Sequence, residues 1–124
     1  MKIKTIKNLL SLADKNIPVI FDFCGCVPTT VSSWRGVYRE PAIGWAATGY
    51  SGGGDQITVE EFLAELEKAT SGKVYIGWKG GEFTYTNENT LHVDNPGEWT
   101  STEITAVEVG EYSVILHTKI EDVI

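Results

Sequence analysis

"STEITAVEVGEYSVILHTKI", residues 101–120, decides the class of the fold. Two runs rich in β-branched residues, "STEITAVEV" and "YSVILHTKI", are separated by Gly110-Glu111. A two-residue connection with glycine first is typical of a type II′ turn, so the stretch predicts an antiparallel hairpin. The carboxyl-terminal part of the chain is therefore predicted to be β.

Further strands are predicted upstream of this hairpin. "KVYIGW" and "EFTYT" flank Lys79-Gly80-Gly81, a hairpin connection, and "TLHVD" is a short strand that ends at Asn95-Pro96-Gly97. "IPVIFDF", residues 17–23, predicts a buried strand because β-branched and aromatic residues dominate it. "VSSWRGVYRE" is consistent with a strand that bends at Gly36.

Two helices complete the prediction. Thr58 precedes "VEEFLAELEKA" with Glu61 three residues on, which is a capping box, and Gly72 is a suitable stop, so a helix is predicted over 59–70. Apolar residues at helical spacing predict a first helix over 2–14: Ile3, Ile6, Leu9, Leu10 and Ala13. The expected fold is α+β, an antiparallel β-sheet with two helices packed on it, in a single domain covering residues 1–124.

Charge and hydropathy exclude some classes of partner. The chain has 124 residues, a net charge of −7 and a pI of about 4.7, which argues against binding long nucleic acid. A few local cations could still hold a small ligand with one or two phosphates. No apolar run approaches the roughly 20 residues of a membrane span, and polar residues interrupt the amino terminus, so a cytoplasmic location without membrane association is expected.

The chain has enough cysteines and histidines, two of each, for a metal site, but their spacing does not indicate one. Cys24 and Cys26 are two residues apart, so on a strand they would point to the same side; this disfavours a mutual disulfide and fits a reducing compartment. With His92 and His117 they could form a tetrahedral zinc set, but Cys-x-Cys is not the usual spacing. The preferred interpretation is two small buried residues, with no metal and no cofactor.

A catalytic constellation is not apparent. Both histidines lie inside predicted strands, and no serine lies in a Gly-x-Ser-x-Gly turn. The histidines are interpreted as strand residues, so the protein is not expected to be an enzyme. Gly52-Gly53-Gly54 precedes the capped helix and could receive an anion, but a flexible surface loop is the preferred interpretation.

"SSWRGVYREPAIGW", residues 32–45, is the strongest binding candidate. It contains both arginines of the chain, Arg35 and Arg39, beside Trp34, Tyr38 and Trp45. Guanidinium groups bind phosphates and flat rings stack on bases, which is what a nucleotide-sized ligand needs. The alternative, that the rings belong to the core and the arginines pair with carboxylates, stands equally at this point.

A second cluster of rings and a cation favours binding. "YIGWKGGEFTYT" contains Lys79 and two glycines, and Phe83 and Tyr85 share one face of their strand. Asn95 lies at a turn, where its amide either bonds its own backbone or reads the edge of a base. The candidate ligand-binding residues are Trp34, Arg35, Arg39, Lys79, Phe83 and Asn95.

The same segments resemble a family of small phage proteins. The motifs are Ser-aromatic-Arg-Gly-x-Tyr, Gly-aromatic-Lys-Gly-Gly-x-aromatic and a Val-x-Asn turn, spread over residues 32–95. This pattern is similar to that of phage anti-Thoeris proteins, which act as sponges for cyclic ADP-ribose isomers. Two positions depart from the family pattern: Trp34 replaces the more frequent tyrosine, and Pro96 stands where an aromatic residue is expected.

The resemblance implies binding without turnover. A signal made by bacterial TIR enzymes would be held by a homo-oligomer built from dimers, with pockets at subunit interfaces, and some relatives also hold cyclic oligonucleotides. It implies that Phe83 stacks on adenine, that Asn95 is the nearby amide and that Arg35 contacts phosphate. Trp34, Arg39 and Lys79 are added on chemical grounds alone.

Two other classes of function remain open. Tyr, Trp and Arg are also the residues favoured at the centres of protein interfaces, so the aromatic and arginine surface could bind a host or virion protein. A small nucleotide-cleaving enzyme is the third possibility, and it would release a product from the ligand.

Overall fold

In the computed structural model, residues 1–23, 25–34, 37–47, 56–76, 81–94 and 100–122 are described. They form one compact α+β domain, as predicted. The elements in chain order are α1 (Ile3–Leu10), β1 (Pro18–Phe21), β2 (Val27–Trp34), β3 (Val37–Ala46), β4 (Ile57–Thr58), α2 (Val59–Thr70), β5 (Tyr75–Ile76), β6 (Glu82–Phe83), β7 (His92–Val93), β8 (Thr100–Val109) and β9 (Val114–Asp122).

The main sheet is mostly antiparallel. Its strand order is β2-β3-β7-β8-β9-β1-β4, and β5 with β6 forms a separate antiparallel pair. Among the described strands, the β3–β7 and β1–β9 neighbours are parallel and the other pairs are antiparallel. Strands β1 and β4 also contact β2, although they stand at the opposite end of the strand order, so the sheet curls back on itself.

Both helices cover the same face of the curled sheet. Helix α2 contacts β1, β2 and β4, while α1 contacts α2 and β8. Helix and strand side chains share one core, which includes Ile3, Ile6, Leu10, Val19, Phe21, Ile43, Phe62, Leu66, Leu91, Ile104 and Leu116. Burial of such side chains, at about 1.5–3 kcal/mol each, is the main force that holds the helices on the sheet.

The helix predictions hold, with one boundary corrected. Thr58 Oγ1 accepts from the Glu61 N–H and Glu61 Oε1 accepts from the Thr58 N–H, so the capping box is formed. Helix α2 ends at Thr70, and Gly72 adopts φ +91° just beyond it. Helix α1 ends at Leu10 rather than near residue 14, because the chain turns over residues 11–13 and leaves Leu12 exposed.

The β8–β9 hairpin is confirmed, but its turn is displaced by one residue. Val109 pairs with Val114, and the Gly110 N–H donates to the Ser113 carbonyl, so the central turn residues are Glu111 and Tyr112. A Cβ at Gly110 would lie 2.8 Å from the Ser113 oxygen, which explains the glycine. A bulge at residue 105 lets Ile104 pair with Thr118 while Ala106 pairs with His117.

Residues 27–46 form a hairpin rather than one bent strand. Strands β2 and β3 are antiparallel, with Ser32 opposite Ala42 and Trp34 opposite Val37. The chain therefore reverses between Trp34 and Val37, which places the two ends of the arginine-containing stretch on neighbouring strands.

The segment after β1 is a turn and not a continuation of the strand. Gly25 has φ +62° and the Cys26 N–H donates to the Phe23 carbonyl. Cys26 is disulfide-bonded, which corrects the expectation of two unpaired thiols. That expectation assumed strand geometry, where residues two apart point the same way; the turn removes this constraint. Cys24, the other cysteine, lies outside the described residues.

Neither helix in the described part of the chain is long and apolar enough to cross a bilayer; α2, the longer, has 12 residues.

Candidate ligand sites

Three aromatic side chains form a cluster, here called the aromatic cluster: Tyr75, Phe83 and Tyr85. Tyr75 on β5 stands opposite Phe83 on β6, and their rings stack with centroids 5.6 Å apart. The Tyr85 ring lies 5.2 Å from Phe83 in an edge contact and 4.8 Å from Tyr75. Phe83 is half-buried, while Tyr85 is fully buried.

A lysine brings positive charge to this cluster. Lys73 Nζ lies 5.0 Å from the centre of the Tyr75 ring, within the range of a cation–π contact. Burial raises the pKa of the Tyr75 phenol, and the charge of Glu65 adds to the rise, so Tyr75 stays neutral at physiological pH. The buried Tyr75 hydroxyl has no hydrogen-bond partner among the described residues.

A hydrogen bond fixes the cluster against the main sheet. The Tyr85 hydroxyl donates to the Glu40 carbonyl on β3 at 3.2 Å. Burial raises the pKa of Tyr85, and Tyr75 and Glu40 raise it further, so this hydroxyl remains a donor. The contact brings Phe83 to the part of β3 where Glu40 directly follows Arg39 in the chain. Two segments that the sequence analysis singled out therefore meet here.

The other predicted site residues are placed only in part. Trp34 ends β2 and Arg39 lies on β3, but their side chains are outside the described part of the structure. Arg35, Lys79 and Asn95 lie outside the described residues altogether. Their roles stay predictions. Lys73 was missed, although its position two residues before Tyr75 is a usable signal, because alternate residues of a strand share a face.

A second candidate is a cavity of about 280 Å³ on the core-facing side of the main sheet, here called the sheet pocket. Ile43, Val93, Thr102 and Ile120 form one row across β3, β7, β8 and β9, and the last three line the cavity. Phe23, Trp45, Asp94 and Thr118 complete the lining. The sheet pocket therefore lies beside the hydrophobic core, on the same face of the sheet.

The Trp45 ring is held in a fixed orientation at the pocket. Its Nε1–H donates to the Asp94 carbonyl at 2.8 Å, and the Phe23 ring meets it at 84° with centroids 5.4 Å apart. Phe23 in turn stacks on Phe21 of the core at 5.0 Å. Trp45 nevertheless keeps 43% of its surface exposed and Ile120 keeps 65%. The result is a rigid aromatic wall that is accessible to solvent.

Thr118 lines this pocket, and its hydroxyl has a defined hydrogen-bond direction. Its Oγ1–H donates to Asp22 Oδ1 at 2.6 Å, while the Thr118 N–H donates to Asp22 Oδ2 at 2.9 Å. Burial raises the pKa of Asp22, but the two Thr118 hydrogen bonds and the charge of His117 outweigh it, and the net pKa is lowered. A carboxylate with a lowered pKa is a weak general base, so it does not activate Thr118 as a nucleophile.

The sheet pocket lies well away from the backbone at Arg39. Trp45 and Arg39 are six residues apart on β3, about 20 Å at the rise of an extended strand. The sequence analysis placed Trp45 with the arginines, but the length of β3 separates them. Asp94 lines the pocket and precedes Asn95, so the predicted amide follows a residue of this second site.

Sequence reasoning missed most of the sheet pocket. The signal was present in the strand pattern: Thr118 and Ile120 continue the alternation of buried Val114 and Leu116, which places them on the core-facing side. Threonine at such a position indicates that the closely packed core ends nearby.

Both histidines are engaged with carboxylates outside the sheet pocket. His92 Nε2 lies 3.4 Å from Glu40 Oε2 and its Nδ1 lies 4.0 Å from Glu103 Oε1, with 10% of its side chain exposed. His117 Nε2 lies 3.1 Å from Glu108 Oε1. These contacts tie neighbouring strands together, since each carboxylate belongs to a strand beside that of its histidine.

The zinc set that the composition allowed is not supported by the described residues. Cys26 is disulfide-bonded and so provides no thiolate ligand. Within the described part of the chain, no group of three His, Cys, Asp or Glu side chains could hold a metal ion.

No protein-family model, no curated protein and no solved structure matches this chain.

Proposed function

We propose that the protein binds a cyclic ADP-ribose-type signalling nucleotide at the aromatic cluster and holds it without cleaving it, as an anti-defence protein of a phage. The observation that carries this proposal is the stacked Tyr75–Phe83 pair with Lys73 beside it, joined by Tyr85 to the β3 segment that follows Arg39. A ring surface that could stack on a base therefore lies beside one cation, Lys73, that could bind a phosphate, which supports the proposal.

The proposal assigns roles by chemistry and by resemblance. Phe83 stacks on the adenine, and Arg35, Arg39 and Lys73 meet the phosphates. Local cations are needed because the net charge of −7 repels an anionic ligand from most of the surface. Trp34, Lys79 and Asn95 remain candidate contacts from the resemblance and from residue chemistry.

Retention without turnover is consistent with the state of the histidines. General acid or base catalysis requires a group that reaches the substrate. His92 is almost enclosed between two carboxylates, and His117 is paired with Glu108. The protein would act in the cytoplasm of the infected bacterium, where the signal is made.

The first test is a thermal-shift screen of the whole protein against cyclic ADP-ribose isomers and cyclic di- and trinucleotides. A ligand at a hundred times its Kd adds about 2.7 kcal/mol, which raises the Tm by several degrees. We expect a shift with one ligand class and recovery of intact ligand by chromatography. Appearance of a cleavage product would instead indicate an enzyme.

Two variants test whether the nucleotide binds at the aromatic cluster. Phe83→Leu, which keeps apolar contact with Tyr75, and Arg39→Ala should each weaken binding; loss of base stacking costs about 1–3 kcal/mol. Tyr112→Ala is the matched control, because this ring is 80% exposed at the β8–β9 turn. If both site variants bind as the control does, the aromatic cluster is not the ligand site.

A protein partner is the second candidate function. The exposed Trp45 and Ile120 form an apolar rim around the sheet pocket, of the kind found at the centres of protein interfaces. No thermal shift with any nucleotide, together with a stable complex with a host or virion protein, would favour this alternative.

A further inference from the structure

We propose that the sheet pocket is a second ligand site, which takes a flat, uncharged or cationic heteroaromatic ring carrying N–H donors, such as the amino-bearing base of a nucleoside. This inference does not depend on the nucleotide proposed for the aromatic cluster. The strand length between Arg39 and Trp45 keeps the two sites apart in one subunit.

The size of the cavity limits its ligand to one ring system. Ligand pockets usually measure about 300–1,000 Å³, and the sheet pocket has about 280 Å³. A base or nucleoside matches this volume better than a cyclic dinucleotide does. The wall is prearranged, since Trp45 is fixed by the Asp94 carbonyl and by Phe23, so little ordering cost arises on binding.

The charge of the lining excludes phosphate. Among the described residues of the lining, seven in number, none carries a positive charge, and Asp94 carries a negative one. A phosphate would therefore meet repulsion and no counter-charge. A neutral or cationic ring meets neither penalty, because the rest of the lining is aromatic, aliphatic or hydroxylic.

The direction of the Thr118 hydrogen bond determines whether a ligand ring in the sheet pocket must offer a donor or an acceptor. Asp22 is ionised and can only accept, so the Thr118 hydroxyl must give its proton to Asp22 Oδ1. The lone pairs that remain on Oγ1 can only accept from a ligand. Asp94 is also an acceptor when ionised. The pocket should thus prefer an amino group to a carbonyl.

Adenosine and inosine test this preference, because they differ by an amino group in place of a carbonyl. Methyl NMR titration of the whole protein should show saturable shifts at Ile120 and Val93. Adenosine should bind about tenfold more tightly than inosine, the value of roughly one hydrogen bond. Failure of adenosine to perturb these methyls overturns the second site, and equal affinities overturn the donor preference.

Asp22→Asn tests the positioning role of Asp22. In this variant the Thr118 N–H still needs an acceptor, so the side-chain oxygen of the asparagine faces it. The asparagine NH₂ group then faces Thr118 Oγ1 and donates to it, which frees the Thr118 hydroxyl to donate to a ligand. The adenosine preference should fall to about twofold or reverse, a change that a merely structural residue would not cause. Thr118→Val, which removes the hydroxyl, should equalise the two ligands, and Glu111→Gln is the charge-matched control.

The outcomes separate the two proposals. An unchanged adenosine preference in folded Asp22→Asn and Thr118→Val overturns the Thr118 assignment. Displacement of adenosine from the Ile120 methyls by a cyclic nucleotide would show that the cyclic nucleotide occupies the sheet pocket. It would overturn the assignment of two separate sites but not nucleotide binding itself. Binding of adenosine that leaves the cyclic nucleotide affinity unchanged supports it.

Discussion

At the scale of single residues, Asp22 links the end of β1 to β9 and also orients a pocket side chain. Its carboxylate accepts two hydrogen bonds from Thr118, and His117 Nδ1 lies 3.8 Å from Oδ2. Glu108 faces the other nitrogen of His117. The folded protein therefore favours the ionised form of Asp22, which is why its pKa is lowered.

The lowered pKa of Asp22 predicts that its removal destabilises the protein by an amount that depends on pH. The contribution of Asp22 is fully present above its unfolded pKa of about 3.9 and is lost as the pH falls through the lower, folded pKa. Asp22→Ala should cost about 1 kcal/mol at pH 7, after allowance for solvent exposure, and less at pH 3. Urea unfolding of both proteins across this range measures the difference. A cost independent of pH would exclude the ionic origin.

At the scale of elements, Lys7 connects three parts of the chain. Its Nζ donates to Glu67 Oε2 at 2.8 Å, to Thr70 Oγ1 at 3.0 Å and to Asn87 Oδ1 at 2.7 Å. Helix α1 is thereby joined to the last turn of α2 and to the turn at residue 87. Only 15% of the Lys7 side chain is exposed, although its partner Glu67 is 71% exposed, so the lysine itself is largely shielded from water.

Lys7→Met should therefore lower the free energy of unfolding by about 1–3 kcal/mol, because it keeps the aliphatic stem and removes three hydrogen bonds. Lys4→Met is the matched control: Lys4 binds Glu88 with about half of its side chain exposed, and such pairs contribute about 0–1 kcal/mol. Urea unfolding at pH 7 compares them. Equal losses would mean that the shielded Lys7 contacts add nothing beyond a surface pair.

At the scale of the whole molecule, the edge strand β5 is a candidate contact between subunits. Among the described strands it pairs with β6 alone, and Ile76 and Val74 are exposed beside Tyr75. Exposed apolar side chains close together on a surface are common at contacts between subunits. We infer that a second copy covers this edge, which would place the partner next to the aromatic cluster.

Light scattering after size exclusion should then give a mass that is a multiple of 13.6 kDa. Ile76→Lys should shift the assembly towards smaller species, because a charge would be buried at the contact. Leu12→Lys, an exposed leucine at the end of α1, should leave the mass unchanged. A monomer at every concentration would contradict the proposed oligomer.

Local patterns determined much of the fold, and the structure confirms them where the pattern is short-range. The capping box at Thr58, the stop at Gly72 and the β8–β9 hairpin depend on neighbours within a few residues. The antiparallel β5–β6 pair agrees with the second predicted hairpin, although Lys79 and Gly80 of its connection lie outside the described residues. The turn lies one residue later than predicted, because Gly110 pairs with Ser113 through its backbone instead of occupying the centre of the turn. Glycine is needed at this position because a Cβ would lie too close to the Ser113 oxygen. Residues 31–40 were predicted to form one bent strand but belong to two paired strands, because a segment without a regular period does not show where one strand ends and the next begins.

The sequence by itself determined the α+β class and the two helices, and it identified candidate binding residues that stay predictions. Only the tertiary structure decided which of them meet. Tyr85 brings Phe83 to β3, whereas Trp45 lies about 20 Å along that strand from Arg39. The reason is physical: strand neighbours such as β3–β7 and β1–β9 join segments that are distant in the chain, and sequence period carries no information about that pairing.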